Sequence, residues 1–196
     1  MELRCLAVAC SPRKEGNTAW LARQALRECG EAGCRTELLY LADFRYAPCR
    51  ACGGCNATGR CVVQDDAGLI FEKILAADRI ILAAPIFSMG ICAQAKMLID
   101  RAQQFWAAKY ILKRSVLAEG EKNRPARRGI FVSCAGSRRP EVFDGAVRVV
   151  RYFFKMLEVD FLAALCYSGV DREGEVRGHP VAGEEVRLYG RKLAEP

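Results

Sequence analysis

The sequence predicts a doubly wound α/β fold, in which helices cover both faces of a parallel β-sheet. Short apolar segments of strand length alternate with segments of helical periodicity along the 196 residues. The apolar segments are continuous runs, which is typical of strands that are buried on both faces. Helical connections between successive strands favour parallel pairing.

The first two strands and the helix between them open this pattern. Residues 2–10 (ELRCLAVAC) predict the first strand, and residues 36–41 (TELLYL) predict the second. Between them alanine and leucine recur at helical spacing, and Gly30 and Gly33 end the helix.

The remaining elements alternate in the same way. They are, in chain order, a helix over 67–77, a strand over 79–85, a helix from Ala93 to about Leu112, a strand over 129–135, a helix from about Pro140 to Leu157 and a strand over 159–165. Five strands with right-handed helical crossovers favour the flavodoxin-like strand order 2-1-3-4-5. Ligands of such sheets bind at the carboxyl ends of the strands, near the reversal in strand order. We therefore expect a single domain, residues 1–196, that binds its ligand through the loops after strands one, three and four.

Composition narrows the class of protein. With 52% hydrophobic and 27% charged residues the chain is typical of a globular protein in water, and no apolar run reaches the roughly 18 residues that span a bilayer. The start lacks a signal-peptide pattern, so we expect a cytoplasmic location and no membrane. The net charge of +7 fits an acidic partner or a phosphate-bearing cofactor. Nucleic acid is a poor candidate, because the basic residues are scattered without interleaved aromatic residues.

The loop after the first strand, SPRKEGNT at residues 11–18, has the composition of a phosphate site. It provides hydroxyl, guanidinium and amide groups and one flexible residue, namely Ser11, Thr18, Arg13, Asn17 and Gly16. The Arg13 guanidinium suits bidentate contact with a phosphate, and the start of the next helix adds free N–H groups. A polar turn with a helix cap is the alternative. The chain contains neither a P-loop nor a G-x-G-x-x-G motif.

The loop after the third strand has the composition to bind a planar ring. It combines apolar and sulfur-containing side chains with backbone N–H groups, in Pro85, Ile86, Phe87, Ser88, Met89 and Gly90. A flavin requires apolar contacts on the faces of its ring and hydrogen bonds along its polar edge. The loop after the fourth strand is small enough for a ring to approach its backbone, through Ser133, Ala135 and Gly136. The alternative is that Phe87 and Met89 are core residues.

Four of the 11 cysteines lie within PCRACGGCNATGRC, residues 48–61. The spacing C-x2-C-x2-C-x5-C offers one thiolate for each iron of a [4Fe–4S] cluster, in Cys49, Cys52, Cys55 and Cys61. Zinc fits less well, because zinc sites made of four cysteines usually separate two C-x2-C pairs by about a dozen residues or more. Disulfides are disfavoured in a reducing cytosol, whereas free structural or redox-active thiols stay open. Cysteines in or beside predicted strands are expected to be small core residues; they are Cys5, Cys10, Cys134 and Cys166.

Taken together, S-P-R-x-x-G-N-T after the first strand and P-I-F-x-x-G-x-x-A-Q-x-K after the third resemble the flavodoxin-like NAD(P)H-dependent FMN reductases, over about residues 3–166. The compact cysteine motif is similar to that of the archaeal and bacterial iron–sulfur flavoproteins. Two positions depart from the family pattern, which often has glycine where Met89 stands and a hydroxyl where Cys92 stands.

The resemblance implies roles for these residues. The FMN phosphate would be held by Ser11, Arg13, Asn17 and Thr18. Residues 85–90 would line the isoalloxazine, and residues 133–136 would close the site. The resemblance also implies a homodimer or homotetramer, in which the cluster of one subunit lies near the FMN of another.

The resulting hypothesis is an FMN-dependent electron-transfer flavoprotein whose cysteine loop, residues 47–64, carries a [4Fe–4S] cluster. A flavin handles one or two electrons and a cluster one, so the pair would connect a hydride donor such as NAD(P)H with a carrier such as a ferredoxin. Two alternatives remain. One is a cluster-free NAD(P)H-dependent FMN or quinone reductase, and the other is a redox-sensing flavin-binding protein.

Overall fold

A computed structural model of the chain describes residues 2–117 and 124–196, and its centre is a five-stranded parallel sheet. The sheet strands are β1 (Arg4–Ala9), β2 (Arg35–Tyr40), β3 (Arg79–Ala83), β6 (Arg128–Ala135) and β7 (Asp160–Ser168), while β4 (Ile86–Phe87) and β5 (Gly90–Ile91) form a separate antiparallel hairpin. The order is β2-β1-β3-β6-β7, with every neighbouring pair parallel. This is the predicted order 2-1-3-4-5, so the flavodoxin-like fold is confirmed.

Burial on both faces explains why the sequence predicts the central strands. Every residue of β3 is buried, as are all but the first residues of β1 and β6. Such strands need apolar side chains on both faces, which produces continuous runs. The edge strand β2 is exposed over its first three residues.

Helices cover both faces of the sheet. They are α1 (Asn17–Glu31), α2 (Ala67–Ala76), α3 (Ala93–Arg101), α4 (Gln103–Trp106), α5 (Asp144–Met156) and α6 (Ala182–Ala194). One apolar core joins the sheet to α1 and α6, and the other joins it to α2, α3, α4 and α5. The arrangement is therefore doubly wound, as the sequence predicts.

The helix predicted from Ala93 to about Leu112 is divided in the structure. Ala102 has ψ of −2°, and its N–H donates to the Ile99 carbonyl, so α3 closes with a tight turn at Arg101. The segment continues as α4 and then as a π-helical turn over Ala107–Ile111. The prediction of one continuous helix is therefore wrong.

The sequence patterns did not predict α6. Its buried residues form a narrow stripe on an otherwise charged segment; they are Ala182, Val186, Gly190, Leu193 and Ala194. Gly190 allows α6 to cross α1 closely, because a Cβ there would lie 2.6 Å from the Ala25 carbonyl oxygen. On the α1 side the Cys29 thiol donates to the Gly190 carbonyl at 3.3 Å.

The cysteines fall into two groups by exposure. Cys5, Cys10 and Cys134 are buried, as expected of core residues, and Cys166 is partly buried. Of the loop cysteines, Cys52 is exposed and the other three are half-buried, and all 11 cysteines are free thiols. No helix in residues 2–117 and 124–196 has the length and apolar character needed to cross a membrane.

Candidate functional site

The carboxyl ends of β1, β3 and β6 meet at one edge of the sheet. The Cys10 N–H donates to the Ala83 carbonyl at 2.8 Å, and the Ala84 N–H donates to the Val132 carbonyl at 3.0 Å. These bonds join the three strand ends side by side. The loops that the sequence singled out after these strands therefore share one edge.

The loop after β1 is a tight polar turn. The buried Ser11 hydroxyl accepts the Arg13 N–H at 3.1 Å, and the Gly16 N–H donates to the Arg13 carbonyl at 3.2 Å. A Cβ at Gly16 would lie 3.1 Å from that carbonyl oxygen and 3.3 Å from Ser11 Oγ. Among the described residues no side chain caps the start of α1, so the first N–H groups of α1 are available to an anion, beside the exposed Arg13.

The side chains of Asn17 and Thr18 are not free at the surface of the turn. The Asn17 side chain donates to the Arg172 carbonyl at 2.8 Å and accepts the Val176 N–H at 3.4 Å. Asn17 therefore ties the loop after β7 to the start of α1. Thr18 is buried.

The loop after β3 is the β4–β5 hairpin. Ser88 and Met89 form its tip with φ of 47° and 64°, the backbone of a type I′ turn. Phe87 and Met89 are 49% and 47% exposed, so they are not core residues. Two apolar side chains are thus exposed at the edge of the sheet, and Met89 adopts a backbone conformation that residues other than glycine rarely adopt.

Cys92 anchors the base of this hairpin. Its N–H donates to the Pro85 carbonyl at 3.1 Å, and its thiol donates to the Cys10 carbonyl at 3.5 Å. Burial raises the pKa of Cys92 to about 11, so the thiol stays protonated and remains a donor at neutral pH. The thiol therefore acts as a donor at the position where the resemblance suggests a hydroxyl.

The end of β6 closes the same edge. The fully buried Ser133 hydroxyl donates to the Ala84 carbonyl at 2.8 Å, so it braces β3 against β6. The Ala135 carbonyl accepts the Val170 N–H at 3.0 Å. Gly136 is exposed, and a Cβ there would lie 3.1 Å from the Asp171 side chain.

The cysteine loop is fixed at both ends by one buried ion pair. Arg101, the last residue of α3, donates to the Ala47 carbonyl before the cysteines at 2.9 Å and to the Val63 carbonyl after them at 3.1 Å. It also pairs with Asp65 at 2.7 Å. Burial alone would raise the pKa of Asp65, but hydrogen bonds from Arg101 and from the N–H groups of Ala47 and Ala67 lower it.

All four loop cysteines line one cavity of about 410 Å³. Residues of α3 and α4 form another wall, and there the Gln104 side chain accepts the Cys61 N–H at 3.1 Å. Ala51 and Gly53 have φ of 51° and 70°, which lets the chain turn sharply between successive cysteines. Burial raises the pKa of Cys55, and the charges of the other three cysteines raise it further. The four thiols therefore share one environment.

The donor set fits an iron–sulfur cluster in its chemistry. Four thiolates match the four irons of a cubane. Arg101 lines the cavity, and its Nε atom is a buried donor without a hydrogen-bond partner among the described residues. No three histidine, cysteine, aspartate or glutamate side chains of residues 2–117 and 124–196 are grouped so as to hold a metal ion. The four thiols thus line the cavity without being gathered around one metal position.

Fold and site together define a flavodoxin-like protein with a tight polar turn and an apolar hairpin at one sheet edge, and with a cysteine-lined cavity in the loop after β2. Within that class, the chain belongs to the NADPH-dependent FMN reductase family, whose model matches residues 3–160.

Two curated relatives are named iron–sulfur flavoproteins. One, from Methanocaldococcus jannaschii, is 42% identical over 101 residues, which are 52% of this chain and 52% of the relative. The other, from Methanosarcina thermophila, is 36% identical over 114 residues, 58% of this chain and 60% of the relative. The resemblance to iron–sulfur flavoproteins is thereby confirmed. The matched part spans only about half to three fifths of each relative's length.

A solved structure shows the same fold. The NAD(P)H:quinone oxidoreductase of Methanothermobacter marburgensis aligns with a TM-score of 0.69 over 100% of this chain and 99% of its own, at 15% identity. At that identity the likeness concerns the fold alone.

Proposed function

We propose that this chain is an FMN-dependent oxidoreductase whose cysteine loop holds a [4Fe–4S] cluster. The observation that carries the proposal is the cavity lined by Cys49, Cys52, Cys55 and Cys61 in a member of an FMN reductase family. The names of the curated relatives support the same assignment. When bound, FMN would supply one- and two-electron chemistry and the cluster one-electron chemistry.

We assign the FMN phosphate to the turn after β1. Arg13 offers an exposed guanidinium there, Ser11 and Gly16 shape the turn, and the uncapped start of α1 offers N–H groups. Asn17 and Thr18 would contribute backbone N–H groups, since the Asn17 side chain is bonded to the loop after β7 and the Thr18 side chain is buried. The turn therefore has the positive potential that a phosphate requires.

We assign the isoalloxazine to the β4–β5 hairpin and the end of β6. Phe87 and Met89 supply exposed apolar surface, Pro85 leads into the hairpin, and the hairpin supplies backbone N–H groups along Ile86–Gly90. Ser133 and Ala135 position the facing strand end, and Gly136 keeps its backbone open.

Helix α3 links the two proposed sites. It starts directly after the hairpin and ends at Arg101, against the cysteine loop. Its nine residues span roughly 14 Å, and near its start the Tyr46 hydroxyl donates to the Gln94 carbonyl at 2.8 Å. One rigid element thus fixes the distance between hairpin and cysteine cavity.

As partners we propose NAD(P)H as hydride donor and an acidic one-electron carrier of the ferredoxin type, which the net charge of +7 would attract. We also propose a homodimer or homotetramer. Exposed apolar side chains support this, among them Tyr110, Ile111 and Tyr152. Light scattering of the purified protein would measure the oligomeric state.

Anaerobic purification with iron, sulfide and FMN analysis tests the proposed function. We expect about four irons per chain and a broad absorbance of iron–sulfur type. Cys55→Ala should lose the iron and keep FMN, whereas Cys166→Ala, in strand β7, should keep both. Iron-free protein with intact cysteines would exclude the cluster.

The FMN site is tested separately by Arg13→Ala. Loss of a charged phosphate contact should weaken FMN binding by about tenfold or more and leave the iron content unchanged. Lys14→Ala is the matched control, because Lys14 lies in the same loop but pairs with Asp43. Equal FMN affinity of wild type and Arg13→Ala would argue against the phosphate assignment.

The second candidate is a cluster-free NAD(P)H-dependent FMN or quinone reductase. One observation favours it: among the described residues, no three cysteine, histidine, aspartate or glutamate side chains are close enough together to hold a metal ion. Rapid NAD(P)H oxidation by yellow, iron-free protein would support it. Absence of turnover with any donor would instead favour a redox-sensing flavin-binding protein.

A further inference from the structure

Arg101 is a buried cation with an incomplete set of partners. Its side chain is only 1% exposed. Two of its nitrogens hold the cysteine loop, one through the Ala47 carbonyl and Asp65 and the other through the Val63 carbonyl. The third, Nε, is buried without a hydrogen-bond partner among the residues described.

A buried N–H group without a partner needs an explanation, because nearly all such groups in proteins are satisfied. The cavity that Arg101 lines is the one lined by the four loop cysteines. Burial would lower the pKa of Arg101, but Asp65 and the neighbouring Cys61 side chain raise it, so Cys61 lies beside the guanidinium. One helical turn further along, Gln104 fixes the Cys61 backbone by accepting its N–H. The available donor and the sulfur ligand are therefore held by the same few residues.

We propose that the Arg101 Nε–H donates a hydrogen bond to the sulfur bound at Cys61 when the loop holds its cluster, and that this bond raises the cluster's reduction potential. The inference rests on the proposed function. Reduction adds one electron and thus one negative charge to the cluster, and N–H donors at the sulfurs stabilise that charge. Arg101 is thus a positioning residue that also tunes the potential.

Arg101→Lys tests the bond, since lysine keeps the charge and can still meet Asp65 but lacks the Nε–H. Arg50→Lys is the matched control, because Arg50 lines the same cavity and is exposed. In an EPR-monitored redox titration we expect Arg101→Lys to keep its iron and to favour the oxidised cluster about tenfold, a shift of ~59 mV to lower potential for one electron. Arg50→Lys should change the equilibrium less than twofold.

A second measurement avoids any change at position 101. Arg50→Lys protein is labelled with 15N in its arginine guanidinium groups, and pulsed EPR is recorded on the reduced cluster. Because Arg101 is then the arginine left among the described residues of the cavity wall, we expect a 15N coupling to the cluster.

The outcomes separate the two proposals. Four irons per chain with an unchanged potential in Arg101→Lys, or with no 15N coupling, overturns the role of Arg101 and leaves the proposed function standing. Wild-type protein that takes up no iron overturns both. If Arg101→Lys fails to fold, the 15N coupling alone decides.

Discussion

Two buried arginines, one at each end of the molecule, differ in how many of their nitrogens have hydrogen-bond partners. Arg79 begins β3 at the amino end of the sheet and donates to the carbonyls of Leu193, Ala126 and Glu195 at 2.6, 2.9 and 2.8 Å. Arg101, beside the cysteine loop, is just as buried but keeps one nitrogen without a partner among the residues described. At the amino end the chain itself provides the acceptors for Arg79, whereas beside the cysteine loop the Nε–H group of Arg101 is available to a ligand.

The largest effect should come from breaking the amino end. Arg79→Ala removes the donor of the buried Leu193 carbonyl and of the part-buried carbonyls of Ala126 and Glu195, and we expect it to lower the free energy of unfolding by at least about 3 kcal/mol. Urea unfolding measures this loss, and FMN affinity of the folded protein should be unchanged. Arg128→Ala, at the start of β6 but only half-buried and with one bond of 3.4 Å, should cost less than about 0.5 kcal/mol. Equal losses in the two variants would contradict the comparison.

A smaller loss is expected at the cysteine loop from Asp65→Asn, which removes the charged partner of Arg101. We expect about 1.5–3 kcal/mol at neutral pH. Because the folded pKa of Asp65 is lowered, its stabilisation is present above its unfolded pKa of about 3.9 and is lost as the pH falls through the folded value. Urea unfolding as a function of pH should therefore show the variant and wild type converging in acid.

The control for Asp65→Asn is Asp100→Asn on the same side of the molecule. Asp100 pairs with Lys96 at the surface, and exposed pairs contribute little. We expect a change below about 0.5 kcal/mol. A loss as large as that of Asp65→Asn would show that burial of the pair is not the cause.

Gly190→Ala tests the packing of α6 against α1 on one face of the sheet. The added Cβ would meet the Ala25 backbone at 2.6 and 3.0 Å, so overpacking should cost about 1–3 kcal/mol in urea unfolding. Gly183→Ala, in the same helix, meets Trp20 at an ordinary 3.5 Å and should be neutral or stabilising by up to about 1 kcal/mol. A neutral Gly190→Ala would mean that the two helices can move apart.

Features that are encoded by residues close together in the sequence could be predicted from it. Strands such as β1 and β3 were predicted because burial on both faces writes a continuous apolar run into the chain. The motif of the turn after β1 and the spacing of the loop cysteines are equally local signals. Helix α6 was missed because its stripe, from Ala182 to Leu193, is narrow and lies among charged residues; the spacing of four, four and three was the signal present.

Other features depend on contacts between distant parts of the chain. The β4–β5 hairpin has Ser88 and Met89 at its tip, without the Asn-Gly pair that usually predicts a type I′ turn. Arg101 lies 36 residues from Asp65, and nothing in the local sequence of either residue indicates the other. Tertiary structure alone showed that a helix residue holds the cysteine loop.

The smallest effect on stability, and one of opposite sign, is expected at the ligand end of the sheet. Met89 has φ of 64°, a conformation that costs a residue with a side chain about 1–2 kcal/mol, partly offset by the backbone entropy of glycine. Met89→Gly should therefore raise the free energy of unfolding by up to about 1 kcal/mol and, by removing the sulfur–ring contact proposed above, weaken FMN binding roughly two- to tenfold. Lys113→Gly, at another exposed position with φ of 55°, should stabilise similarly without affecting FMN. If both variants gain stability and neither loses FMN affinity, the strain at Met89 is unrelated to the ligand; if only Met89→Gly loses affinity, the hairpin keeps a strained residue because that residue contacts the flavin.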